Sequence, residues 1–182
     1  MTPLDFPVEL LPHSPEWEIQ ARHEAERLGD ALGERLIVVH HIGSTAIPGI
    51  AAKPILDLMP EFVSLPILDA AEPVLRRLGY EWWGEYGIPT RRYCTLADPQ
   101  TGRRRINLHS FAQDSAEIER HLAFRDHLRL HPAKAREYEA VKQRCRDLHP
   151  TDLGAYTEAK GSWIKATELE ALAFRRMRAL GS

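Results

Sequence analysis

Residues 39–59 read VHHIGSTAIPGIAAKPILDLM and form two apolar segments joined by a loop of small residues. β-branched and apolar residues at both ends of this stretch predict two strands. Between them the loop 43–53 is rich in glycine and alanine, begins with a Gly-Ser pair and carries one lysine. Pro60 is expected to end or fray the second strand. The stretch therefore predicts a Gly-Ser turn close to a single strand acid, Asp57.

The Gly-Ser turn has the chemistry of an anion site. Gly43 lets the backbone approach a ligand, Ser44 adds a hydroxyl donor, and the amides of the turn add further donors. Thr45 and the loop lysine Lys53 extend this candidate binding set. A carboxylate on the next strand, Asp57, can hold Mg²⁺, which bridges phosphate oxygens. The structural alternative is a tight turn, a solvated lysine and a carboxylate that caps backbone amides.

The expected pair of acids is only half complete. Residues two apart on a strand share a face, so a second ligand for Mg²⁺ would stand two positions after Asp57. Met59 stands there, and a thioether is a poor ligand for a hard cation. Glu61 would share the face of Asp57 only if the strand continued past Pro60. The residues alone therefore give little support to a two-metal site.

A hairpin supplies the next candidates. Strand-like residues 91–96 and 104–111 are joined by a turn at 98–102. Alternation along the second of these strands points Ile106 and Leu108 one way and places three polar residues on the other face: Arg105, Asn107 and His109. Asn107 or His109 would orient an acceptor or replace the missing acid, and His109 is a candidate metal ligand beside Asp57. A structural strand histidine is the alternative.

Basic residues are candidates for contacts with phosphate. Either Arg91 or Arg92 is expected to face the open side of the sheet with Arg105, where it could clamp phosphates or balance a nearby acid. Lys160 lies four residues after Tyr156 on one helical face and would reach a cleft between the two halves of the chain.

Histidines allow a different kind of site. His40 and His41 precede the Gly-Ser turn, and either could join His109 in an imidazole-rich metal or acid–base site.

Composition limits the class of protein. The 182 residues are 43% apolar, which suffices for a core, and 24 basic residues face 26 acidic ones, which gives no nucleic-acid signal. Cys94 and Cys145 lack CxxC spacing and are expected to be reduced. No membrane span or signal peptide is predicted, so we expect a cytoplasmic protein.

The order of elements predicts an α+β (α/β) fold, with a head over 1–113 and a helical part over 114–182 packed on it. The remaining predicted strands are 36–41, 55–59 and 80–83. A first helix follows Ser14, carries an apolar stripe and stops at Gly33. The residues of that stripe are Trp17, Ala21, Leu28 and Leu32. A second helix covers 64–78, where Pro73 can kink or split it.

Three helices are predicted after the hairpin. Asp114 and Glu117 have capping-box spacing, and that helix runs to His131. The next begins at Pro132 and has one apolar face, formed by Tyr138, Val141, Cys145 and Leu148. Thr151 and Asp152 start a last long helix, which carries Tyr156, Lys160, Trp163 and Ile164.

Several motifs occur together and in order along about residues 8–168. They are PHSPEW, HIGSTAIPGIAAKPILDL, YGIPTRRY at 86–93, NLHSF at 107–111, ERHLAFRDHLRLHP at 119–132, AREYEAVK at 135–142 and AYTEAKGSWI at 155–164. This series closely resembles the GrpB-like family of bacterial proteins. The resemblance implies a nucleotidyltransferase-like mixed β-sheet with flanking helices and a cytosolic location. It also implies a domain that some bacteria fuse to dephospho-CoA kinase.

Two functional hypotheses follow. In the first, the chain binds an NTP or another phosphorylated small molecule with Mg²⁺ and transfers a nucleotidyl group to an acceptor. In the second, the same fold is a non-catalytic module that binds a nucleotide or a CoA-related ligand. A second acidic group within about 5 Å of Asp57 would favour the first, because shared Mg²⁺ ligands lie near 2.1 Å from the ion.

Overall fold

A computed structural model gives the structure of the chain and describes residues 7–180. Its centre is a five-stranded mixed sheet, as predicted, with strand order β1-β2-β5-β4-β3. β2 and β5 are parallel, and the other neighbouring strands are antiparallel. The strands are β1 (Leu36–Ile42), β2 (Leu56–Phe62), β3 (Glu81–Trp82), β4 (Arg92–Ala97) and β5 (Arg104–Ala112).

Helices cover both faces of the sheet, and the last four follow it in the sequence. They are α1 (Glu16–Leu32), α2 (Leu65–Asp69), α3 (Glu72–Arg77), α4 (Ala116–Leu130), α5 (Pro132–Leu148), α6 (Leu153–Ala159) and α7 (Gly161–Leu180). α4 packs on α5 and α7. No helix within residues 7–180 is long and apolar enough to cross a membrane. The division of the chain at residue 113 stays a prediction.

The two faces of the sheet are buried by different helices. The predicted stripe of α1, from Trp17 to Leu32, is buried in the main core, together with Leu58 and Phe62 of β2. Met59 points to the other face, where it packs in a second cluster with Phe111 and with Ile118 of α4. The position of the expected second acid is therefore a fully buried core position.

The prediction that Pro60 ends β2 is wrong, because the strand continues to Phe62. The parallel ladder to β5 pairs Leu58 and then Glu61, so the missing amide hydrogen of Pro60 lies where that ladder is interrupted. Glu61 remains in the strand, but its Oε2 lies 3.3 Å from Nε2 of His40. Glu61 is therefore engaged with β1.

The predicted helix over 64–78 is two short helices, and the break at 70–71 precedes Pro73, which lies in the first turn of α3. Asp114 does not cap α4. It has a positive φ of 66°, and Ser115 is the N-cap, whose hydroxyl accepts from the amide of Glu117.

The predicted last long helix is also two helices, because α6 ends where Lys160 forms its C-cap and α7 begins at Gly161. Asp152 caps α6, and its carboxylate accepts from the amide of Ala155. Leu148 does not share the buried face of α5, since it is 72% exposed at the end of that helix.

Candidate functional site

Asp57 lies on β2 in register with Asn107 of the parallel strand β5. The Asn107 amide Nδ2 donates to Oδ1 of Asp57 across 2.8 Å, and Nε2 of His109 lies 3.4 Å from the same oxygen. The three side chains share one face because residues two apart on β5 point the same way. The structure thus brings together the three residues predicted as the catalytic set.

Two further residues hold this group in place. The Tyr93 hydroxyl donates to Oδ1 of Asn107 across 2.9 Å, and Nη1 of Arg91 lies 3.4 Å from Nδ1 of His109. Since a guanidinium only donates, Nδ1 accepts and a neutral His109 carries its proton on Nε2, facing Asp57. Both ring nitrogens of His109 therefore face protein groups, which does not support its predicted role as a metal ligand.

The carboxylate of Asp57 is strongly favoured in its charged form. Burial alone would raise the pKa of Asp57. The hydrogen bonds of His109 and Asn107 and the charge of Lys53 outweigh burial and lower the pKa to about 2. Asp57 is therefore an anion at any physiological pH.

The Gly-Ser turn lies directly against Asp57. Gly43 has φ +70°, and a Cβ there would lie 2.9 Å from Cβ of Asp57 and closer still to Oδ2. Ser44 follows, and its hydroxyl donates to the Tyr138 hydroxyl of α5 across 3.5 Å. Thr45 does not join the predicted binding set, because it is buried and its hydroxyl lies 2.9 Å from Nε2 of His41.

Two predicted lysines meet at the interface between the loop 43–53 and the C-terminal helices. Nζ of Lys160 lies 4.5 Å from the centre of the Tyr156 ring, and Nζ of Lys53 lies 5.3 Å from it. A third amine, Lys142 of α5, donates to the carbonyl of Ala51. The structure therefore places three lysines at this interface, and we call Lys53, Lys142 and Lys160 the lysine group.

The positive charges of the lysine group lower the pKa values of neighbouring amines in the group. Burial, followed by the charge of Lys53, lowers the pKa of Lys160 to about 8, although Asp57 acts in the opposite direction. Burial, followed by the charge of Lys160, lowers the pKa of Lys142 to about 7. Burial is also the first cause that lowers the pKa of Lys53. A bound anion would relieve this repulsion.

The predicted basic strip is placed differently. Arg92 lies on the opposite face of the sheet, because it is in register with Ser110 and not with His109, and its Nε lies 2.5 Å from Oδ1 of Asp69. Arg91 is the arginine that reaches the site. That Arg105 shares the face of Asn107 stays a prediction.

The register between β4 and β5 shifts so that Ala97 pairs with Arg104. It is Arg104 whose Nη1 lies 3.5 Å from the Tyr93 hydroxyl. Sequence reasoning missed Arg104 because a local register shift leaves no clear mark in the sequence. Strand alternation from Arg91 could have found Tyr93.

The structure does not bring His40 or His41 together with His109 in the alternative imidazole-rich site. His40 contacts Glu61, and His41 contacts Thr45, so neither is grouped with His109. Burial, with the charge of Arg129, lowers the pKa of His41 to about 4, which keeps it neutral. Within residues 7–180, no group of three or more His, Cys, Asp or Glu side chains is placed to hold a metal ion. One carboxylate fits a single Mg²⁺ shared with ligand phosphates and does not fit a metal pair.

Comparisons with known proteins give the family and the fold. A family model described as GrpB protein matches residues 7–170. The UPF0157 protein YqkA of Bacillus subtilis is 37% identical over 171 residues, which are 94% of this chain and 49% of that protein. A dephospho-CoA kinase of Mycolicibacterium paratuberculosis is 30% identical over 184 residues, covering 87% of this chain and 44% of the kinase. The chain thus spans about half the length of both relatives.

Solved structures confirm the expected fold. The conserved protein GrpB from Enterococcus faecalis superposes with a TM-score of 0.85 at 36% identity, over 92% of this chain and 99% of that one. The Cid1 poly(U) polymerase, solved with Mg and 3′-dATP, superposes with a TM-score of 0.55 at 12% identity, over 81% of this chain and 49% of the polymerase. The second likeness concerns the fold alone, which is nucleotidyltransferase-like.

Proposed function

The chain belongs to the GrpB protein family, and from that premise we propose that it binds a phosphorylated small molecule, with a nucleoside triphosphate as the leading candidate. The ligand would lie between the loop 43–53 and the C-terminal helices. Its phosphates would contact Lys53, Lys160 and the hydroxyl of Ser44.

One observation carries this proposal: Nζ of Lys160 and Nζ of Lys53 lie 4.5 Å and 5.3 Å from the centre of the same Tyr156 ring, and both lysines interact electrostatically with Asp57. The nearby Lys142 adds a third amine, and Asp57 and Glu139 are carboxylates that interact with members of this group. Repulsion between buried amines is unfavourable, and polyphosphate oxygens would reverse it with charge-assisted hydrogen bonds. The geometry therefore favours a ligand with more than one negative charge.

The comparisons support the choice of ligand class. A nucleotidyltransferase-like fold is shared with a polymerase that was solved with Mg and 3′-dATP. A relative named dephospho-CoA kinase contains a region similar to this chain, so a CoA-related phosphate is the alternative ligand. Both possibilities present phosphates to the same lysines.

Binding is better supported than transfer. Asp57 is the one acid in the hydrogen-bond network of Asn107, His109, Tyr93 and Arg91. Met59 fills the second acid position, and Glu61 contacts His40. Mg²⁺ carried in by a triphosphate would be held by Asp57 and would neutralise part of the phosphate charge. Nucleotidyl transfer remains the second candidate, with Asp57 as the residue on which it would depend.

Isothermal titration of ATP, a CoA-related phosphate and inorganic tripolyphosphate into the protein, with and without Mg²⁺, tests the proposal. We expect saturable binding of at least one of these in the range up to millimolar ligand. The absence of binding for all three would refute it. Asp57→Asn separates the two candidates, because it should abolish Mg²⁺-dependent turnover if transfer occurs and should largely preserve binding through the lysines if it does not.

A further inference from the structure

An aromatic surface lies beside the Asp57 network and shares Tyr93 with it. Tyr86 is 63% exposed and Trp83 is 42% exposed, in the segment between β3 and β4. The Tyr86 ring stacks on Tyr93 with centroids 5.0 Å apart and planes 16° apart, and it lies 6.0 Å from the ring of Trp83. We call Trp83, Tyr86 and Tyr93 the aromatic platform.

The platform is held in an exposed position at a conformational cost. Tyr86 has φ +46°, a left-handed backbone conformation that bulky residues rarely adopt. The guanidinium of Arg91, which is 6% exposed, donates to the carbonyls of Glu85 and Tyr86. The Glu85 carboxylate accepts from the amide of Thr90 across 2.7 Å. A large ring is thus fixed towards solvent by a buried arginine.

The platform is continuous with the proposed phosphate site. The Tyr93 ring lies 5.2 Å from the ring of His109, whose Nε2 lies 3.4 Å from Asp57. The loop 43–53 leads into the start of β2, which is parallel to β5, and the platform segment leads into the start of β4, which is antiparallel to β5. The two segments therefore lie towards opposite ends of β5, with Asn107 and His109 between them. β2 and β4 are two strand spacings apart, or about 10 Å, and the step from Asn107 to His109 adds about 7 Å along β5, so the ligand would have to be extended to reach both segments.

We propose that the aromatic platform is a stacking subsite for the planar ring of the ligand, a nucleobase, whose phosphates contact Lys53 and Lys160. This inference rests on the proposed function, and it adds that the ligand is a nucleoside polyphosphate. Tyrosine and tryptophan faces stack on any base, so the platform would bind purines without reading their edges. Cζ of Arg91 lies over the Tyr93 ring, 5.0 Å from its centre, so a buried cation packs against one member of the platform.

The test compares three probes on three proteins. ATP carries both ring and phosphates, tripolyphosphate carries only phosphates, and adenosine carries only the ring. The proteins are the wild type, Tyr86→Asn and Tyr86→Phe. Asparagine tolerates the positive φ while it removes the ring, and phenylalanine keeps the ring. Titration calorimetry measures the two phosphate probes, and saturation-transfer NMR on the adenine protons detects adenosine.

We expect Tyr86→Asn to weaken ATP binding about tenfold, the usual effect of losing one stacked ring. Tripolyphosphate affinity should stay within about twofold, since that probe has no ring, and Tyr86→Phe should behave like the wild type. If both phosphate probes weaken equally, or if neither changes, the stacking subsite is refuted while the proposed function stands. If the wild type binds neither of these phosphate probes nor a CoA-related phosphate, the proposed function fails. Adenosine then decides the subsite: a saturation-transfer signal lost in Tyr86→Asn supports it, and no signal on the wild type overturns it.

Discussion

The Asn107 amide donates to the Asp57 carboxylate across 2.8 Å, so the strand neighbour of Asp57 is an amide, where a second acid would repel it. This contact, together with His109 on the same oxygen, stabilises a lone negative charge. A carboxylate held in this way suits the binding of a cationic or metal-shielded group. Asp57 is thus a fixed negative charge that interacts with the positive charges of Lys53 and Lys160.

Asp57 should contribute to stability only while it is ionised. Its folded pKa of about 2 lies below the unfolded value of about 3.9, so its contribution is complete above that value and is lost as pH falls towards 2. Urea denaturation of the wild type and Asp57→Asn from pH 7 to pH 3 measures this. The difference in free energy of unfolding should be constant above about pH 5 and should shrink below about pH 4. A difference independent of pH would contradict the described network.

Gly43 should tolerate substitution worse than a matched glycine. Gly43→Ala and Gly49→Ala both place a side chain at positive φ, which costs about 1–2 kcal/mol. Only at Gly43 does the new Cβ meet Asp57, and overpacking adds about 1–3 kcal/mol. At Gly49 no atom lies within 4 Å. Equal losses in urea denaturation would show that Asp57 does not lie against the turn.

The two neighbouring arginines should behave differently. Arg91→Lys should cost about 2 kcal/mol, because lysine cannot reproduce the buried fork that donates to two carbonyls and faces His109. Arg92→Lys alters a pair with Asp69, which is half exposed, and should cost less than about 1 kcal/mol. Arg92→Lys should also leave ligand affinity unchanged, because Arg92 lies on the other face. Thermal or urea denaturation, with one ligand titration, checks both variants.

Ligand affinity should fall as pH rises through about 8. The pKa of Lys160 is about 8, so its charge is lost above that pH, whereas a polyphosphate stays multiply charged throughout this range. Tripolyphosphate affinity should weaken by up to about tenfold between pH 7.5 and pH 9. Lys160→Arg keeps its charge over this range and should remove most of the decline. An equally steep decline in Lys160→Arg would exclude Lys160 as the titrating contact.

Much of the sheet and of its central group was predictable from sequence. Alternation on β5 placed Asn107 and His109 on one face, and the Gly-Ser pair marked the turn beside Asp57. These features depend on local periodicity and on backbone conformation, which sequence records directly.

Other features depend on tertiary packing. The phase of β4 decides that Arg91 and not Arg92 reaches the site, and a register shift brings Arg104 there. Packing on both sides carries β2 through Pro60. The helix break at Lys160 is another such feature, although the spacing of four residues already placed Lys160 near Tyr156. None of these follows from propensity, because each is settled by contacts between distant segments.

The most direct test of the account is a titration of ATP and of tripolyphosphate into the wild type, Lys160→Ala and Lys165→Ala. Lys165 is an exposed lysine of α7, one turn beyond Lys160, and serves as the matched control. Because Lys160→Ala removes a charge-assisted contact with phosphate, we expect this variant to bind both ligands about ten- to hundredfold more weakly. We expect Lys165→Ala to bind both ligands as the wild type does. Equal affinities for all three proteins would contradict the proposal that the lysine group binds phosphate.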